Sequence, residues 1–128
     1  PCDAPGMGSD SSFLVMFSKP SVTLDDAEKA LASWKPTRID DTLEIVAGKT
    51  MIAIGLSDEP HVLIESGEIA ERVGNEKIAV CARRFECLVD DLEAALDDYT
   101  VLFGIQEDLH ALTEGWVFLS WNGNVCEM

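Results

Sequence analysis

Beyond Arg84 the chain has no lysine and no arginine, although residues 85–128 hold ten of its twenty-four aspartates and glutamates. Ion pairing local in sequence is therefore denied to its last third. Histidine is scarce at two, and the four cysteines include no C-x-x-C pair, so zinc-ligand spacing is missing and no metal or cofactor is expected. Also missing are H-E-x-x-H, a glycine-rich phosphate loop and a calcium-loop pattern, which leaves zinc-hydrolase, kinase and EF-hand readings unsupported. No apolar run approaches the roughly 18–20 residues that cross a bilayer.

What is there fits one domain. A chain of 128 residues, 47% hydrophobic, is long enough to bury a core without metals or disulfides. Its formal charge of −15 repels phosphate backbones and anionic lipid, which argues against direct nucleic-acid or membrane binding. Residues 1–12, rich in Gly, Ser, Asp and Pro, read as a flexible lead-in or an expression remnant, with Met7 as an alternative start, and the α+β domain spans 13–128. Cys81 and Cys87 lie on an expected extended segment, where six residues at about 3.3 Å each separate them by roughly 20 Å, so they do not pair. A Cys2–Cys126 bond stays open. A start at Met7 leaves three cysteines, and an odd count favours a reducing, cytoplasmic setting.

Phe13–Phe17 is a β-favouring run, and Thr23 with Asp26 three residues later forms a capping box for a helix to about Trp34. Thr42–Ala47 and Thr50–Leu56 flank Gly48-Lys49 as a hairpin. His61–Glu65 reads as a further strand and Glu68–Val73 as a brief helix. Ile78, Val80 and Ala82 then alternate out of phase with Phe85, Cys87 and Val89, so a bulge near Arg83-Arg84 or a strand covered on both faces is expected. The longest helix runs from Leu92 to Leu112, and Trp116–Trp121 is the last strand. The order is β-α-β-β-β-α-β-α-β. This predicts an α+β two-layer sandwich: a mixed or mostly antiparallel sheet of five or six strands, with two or three helices on one main face.

At 100° per residue, Leu92, Ala95, Leu96, Tyr99 and Phe103 cluster on one side of the long helix, with Asp90, Asp97, Asp98 and Asp108 opposite and Glu93 beside them. Acids in a first turn complement the helix dipole, but Glu107, Asp108 and Glu114 stand toward the other end, where that dipole disfavours them. Val101, Ile105 and Leu112 fall on the acidic side, so the apolar phase shifts near Gly104. A break there with both halves packed is the favoured account, and an exposed apolar strip amid carboxylates is the other.

Catalysis finds little footing. Cys81 or Cys87 with His61 or His110 would meet only by folding, and free cysteines are more often buried structural thiols. Neighbouring acids such as Asp40-Asp41 are uninformative in so acidic a chain. Trp116 and Trp121 are more simply sheet-packing residues than anchors. No family motif is present. In size and acidity the chain resembles the immunity proteins and antitoxins that bacteria pair with nuclease toxins, and the nucleic-acid mimics that block defence enzymes.

That resemblance of type implies a non-enzymatic inhibitor whose carboxylates occlude a basic, nuclease-like protein. Its partner-binding set would be Asp90, Asp91, Glu93, Asp97, Asp98, Glu107, Asp108 and Glu114, with Val101, Ile105 and Trp121 as apolar anchors. A small ligand-binding or enzymatic domain with a histidine in its pocket is the alternative from another class, and a homo-oligomer joined through edge strands is a third.

Overall fold

The computed structural model describes residues 11–97, 99–121 and 123–126. In chain order the elements are β1 (Ser12–Phe17), α1 (Leu24–Ala30), β2 (Thr37–Ile39), β3 (Thr42–Ala47), β4 (Thr50–Ser57), α2 (Pro60–Val73), β5 (Arg83–Val89), α3 (Leu92–Asp97), α4 (Tyr99–Thr113), β6 (Trp116–Leu119) and β7 (Asn124–Cys126). Two 3-10 helices, Ala32–Trp34 and Glu76–Val80, link them. All seven strands form one antiparallel sheet in the order β2-β3-β4-β5-β1-β6-β7. The α+β class holds, with seven strands instead of five or six and four helices instead of two or three.

Strand β1 is apolar from Phe13 to Phe17 because it lies between β5 and β6 and is covered on both faces. Phe13, Val15 and Phe17 enter the main core with Ala27 of α1, Ala95 of α3 and Leu102, Ile105 and Leu109 of α4. Met16 points the other way, into a smaller core with Ile69 and Ala70 of α2, Ile78 and Phe118. Helices therefore lie on both faces, three on one and α2 on the other.

The capping box at Thr23 closes in both directions. Its hydroxyl accepts from the Asp26 amide at 3.2 Å and the Asp26 carboxylate accepts from the Thr23 amide at 2.9 Å. The Thr23 amide, with the Thr23 hydroxyl donating to the same carboxylate oxygen at 3.1 Å, holds the Asp26 carboxyl below its ordinary pKa. The helix begun there ends at Ala30, and the 3-10 turn that follows reaches the expected Trp34.

Four expectations are corrected. His61–Glu65 is not a strand: Pro60 opens α2 at a helix position where its missing N–H costs nothing, and Gly74 closes it in the left-handed region at φ 72°. Ile78–Val80 belongs to a 3-10 helix, and β5 starts only at Arg83, so no bulge is needed to reconcile the two phases. The break expected near Gly104 is not there: α4 runs unbroken from Tyr99 to Thr113. Gly104 lies inside α4, where a Cβ would stand 2.2 Å from Cζ2 of Trp34. Its missing side chain is the slot for that indole. Finally, the expected lead-in at 1–12 ends earlier, since Ser12 is in β1 and the Ser11 carbonyl accepts from the Val89 amide at 2.7 Å; residues 1–10 lie outside the described residues.

Cys81 and Cys87 are free and buried. Cys126 is disulfide-bonded, and its partner lies outside the described residues. A disulfide at Cys126 means that the cysteine count no longer favours a reducing compartment. No helix among the described residues is long and apolar enough to cross a membrane.

Candidate functional site

The expected acidic face divides once its residues are placed. Asp90, Asp91, Glu93 and Asp97 all lie exposed over the link from β5 into α3, and none makes an ion pair among the described residues. Asp91 also caps α3, its Oδ1 accepting from the Ala94 amide at 3.1 Å, while its own amide donates to the Thr50 hydroxyl at 2.7 Å. Asp98 lies outside the described residues. Glu107 is exposed on α4.

The remaining acids have local work. Asp108 is half-buried and accepts the Trp34 indole N–H at 2.8 Å, so it fixes the indole in the Gly104 slot. Glu114 pairs with Lys19 at 2.5 Å. That bond lowers the Glu114 pKa, so the pair is complete at neutral pH and is lost as pH falls through the depressed value. The apolar anchors move inward. Ile105 is fully buried, Trp121 is a core residue, and Val101 packs half-buried against that core. The structure thus takes Ile105 and Trp121 off the surface and leaves Val101 partly exposed: α4 buries Leu102, Ile105, Leu109 and Thr113 in one stripe, which leaves no large exposed apolar residue there.

A second region was not legible in the sequence. On the face of the sheet opposite the three helices, α2 covers only the side near Met16 and Phe118. The other side is open and has three large apolar residues on it: Val46 at 74% exposure, Leu88 at 62% and Ile39 at 48%. A cross-strand row runs Ile39, Thr42, Gly55, Glu86, Leu14, and beside it lies the row Glu44, Ala53, Leu88, Ser12. The small residues Gly55 and Ala53 leave a hollow of about 470 Å³ between these rows and α2.

One wall of the hollow is ionic. The Arg84 side chain is only 7% exposed, and each of its nitrogens faces a carboxylate. Nε donates to Glu86 at 2.8 Å, Nη1 to Glu65 of α2 at 2.8 Å, and Nη2 lies 2.7 Å from Glu86. A buried guanidinium needs such pairing, because desolvating an unpaired charge costs several kcal/mol, of order 3–5 when one partner of a buried pair is removed. The trio keeps one surplus negative charge.

Neither histidine reaches these groups. His61 stands 3.4 Å from Glu59 at the start of α2, and His110 lies on α4 across the sheet. Burial pushes the Cys81 thiol up to about 11 and the Cys87 thiol well above its ordinary value, so both stay protonated and poorly nucleophilic at neutral pH. Among the described residues no group of three or more His, Cys, Asp or Glu could hold a metal ion. Comparison of the chain with protein-family models, with curated protein sequences and with solved structures gives no match.

Proposed function

We propose that the chain is a non-enzymatic binding protein, an inhibitor of immunity or antitoxin type that occludes a basic, nuclease-like protein. One observation carries the reading. Asp90, Asp91, Glu93 and Asp97 stand exposed within eight consecutive positions and have no basic neighbour to pair with among the described residues. Repulsion of this kind destabilises a monomer and is relieved when a cationic surface covers it. The charge also steers encounter, raising association rates and making them salt-dependent. The two free thiols are buried and protonated at neutral pH, and His61 contacts Glu59 at the start of α2, neither of which supports a catalytic centre.

The test is direct inhibition. Purified basic nuclease domains are assayed for DNA or RNA cleavage with increasing amounts of the chain, at low and high salt. Inhibition that weakens with salt, and that drops about a hundredfold or more in affinity when Asp90, Glu93 and Asp97 are changed together to lysine, is the expected result. Asp108 is left untouched because it holds Trp34. Equal inhibition by the triple variant would remove this surface from the mechanism. Competition by duplex DNA separates occupation of the nuclease's phosphate groove, as by a nucleic-acid mimic, from binding elsewhere on the enzyme.

A further inference from the structure

We infer that the hollow on the open sheet face is a socket for an arginine side chain of a protein partner. The inference rests on the reading of the chain as a binder of basic proteins, but it names a different surface. Three observations converge on it. The first is volume: about 470 Å³ lies within the roughly 300–1,000 Å³ of ordinary ligand pockets and exceeds what one side chain fills. A flanking apolar residue of the partner has room as well.

The second is the lining. Leu14, Leu88 and Ala53 offer apolar surface in its lining, suited to the three methylenes of an arginine stem. Leu88, at 62% exposure, is the open apolar edge of that lining, and Val46 and Ile39 are further exposed apolar residues on the same face, set apart from it by Glu44 and Thr42.

The third is charge complementarity. Arg84 does not make the hollow an anion site, because its nitrogens are all directed at Glu65 and Glu86. Those carboxylates keep free oxygens, Glu65 Oε2 and Glu86 Oε1, which take no hydrogen bond among the described residues. A second guanidinium placed against them would neutralise the surplus charge of the trio. Guanidinium suits the position better than ammonium because it is more weakly hydrated and forms paired, planar bonds to carboxylates. Asp90 follows Leu88 by two positions at the end of β5, so the acidic shoulder begins at the rim of this same face.

The probe is acetyl-Leu-Arg-Leu-amide, titrated into the isotopically labelled full chain and followed by amide chemical shifts, with acetyl-Leu-Glu-Leu-amide as the opposite-charge control. Saturable shifts at Leu14, Gly55, Glu86 and Leu88 with the arginine peptide alone are expected. Gly55→Leu plugs the hollow beside Glu86, its cross-strand neighbour, at a position where a Cβ meets only the Asp41 carbonyl oxygen at 3.8 Å; it should weaken the peptide at least tenfold. Ala53→Leu is the second plug, and urea melts check that each variant is folded. No shifts, equal binding of the glutamate peptide, or full binding by a folded plugged variant would overturn the socket. Charge reversal at Asp90, Glu93 and Asp97 leaves the socket's own groups in place. Loss of nuclease inhibition in that variant, with no peptide binding to the natural chain, therefore sinks the socket and spares the acidic-inhibitor reading.

Discussion

Strand β5 presents two different surfaces. Toward α1, α3 and α4 it turns Phe85, Cys87 and Val89, all buried; toward the opposite side it turns Arg84, Glu86 and Leu88, of which Leu88 is mostly solvent-exposed. The alternation is the ordinary two-residue period of a strand, but the two sides use their apolar groups differently. One side removes them from water and so holds the sheet to its helices. The other leaves leucine in water beside a buried arginine, which adds little stability and makes a surface of mixed chemistry. Such a division separates the residues that keep the fold from those free to meet another molecule.

The largest effect expected is on the closed side. Phe85 stacks on Phe17 with ring centroids 5.4 Å apart and is fully buried. Phe85→Ala should cost about 3–5 kcal/mol, the lost transfer energy plus the cavity left behind, read as a fall in the urea midpoint. A loss below about 1 kcal/mol would show that this side is not the main source of stability, and the contrast between the two surfaces would fail.

An intermediate effect is expected at Arg84, a buried charge on the open side. Arg84→Ala leaves Glu65 and Glu86 facing each other without their shared cation. Both carboxylates are about half in water, with side-chain exposures of 46% and 40%, so the cost should be about 2 kcal/mol, less than for a fully buried pair. Arg84→Met, which fills the same space with an apolar chain, should lose less. Chemical denaturation of both variants checks the order, and a methionine variant less stable than the alanine one would contradict the electrostatic account.

These two surfaces were unequally legible in the sequence. The closed side could be read where its signals were local: the apolar run of β1, the Thr23–Asp26 box, the hairpin at Gly48-Lys49, and Phe85, Cys87 and Val89 in alternation. Helix α2 was hidden because Ser66 interrupts its apolar spacing between Val62 and Ile69. The structure shows why a serine is tolerated in that slot: it is fully buried, and its hydroxyl donates to the Cys81 carbonyl at 2.7 Å. The β-branched Val62 and Ile64 around Leu63 added a false strand signal. In sequence Gly104 looks like a break because the partner that fills its slot, Trp34, is seventy residues away and brought there by packing. The open side had no local signal at all. Ser12, Gly55 and Arg84 line one hollow because β1, β4 and β5 are neighbours in the sheet, and that strand order is set by long-range pairing. Charge was legible as an excess, and its pairing was not: nothing in the spacing assigns Lys19 to Glu114 or Trp34 to Asp108.

The smallest effect is expected at Leu88, and it is the sharpest measure of the contrast because Leu88 sits on the same strand as Phe85. At 62% exposure its side chain gains little from folding, so Leu88→Ser should change stability by no more than about 0.5 kcal/mol. If the side chain serves recognition, the same substitution weakens binding of the arginine peptide while the urea midpoint stays in place. A loss approaching that of Phe85→Ala would instead mean that Leu88 is covered in solution, for instance by a second copy of the chain. Sedimentation of the natural chain would then show a dimer that the serine variant dissociates, and the open side would be a structural surface like the other.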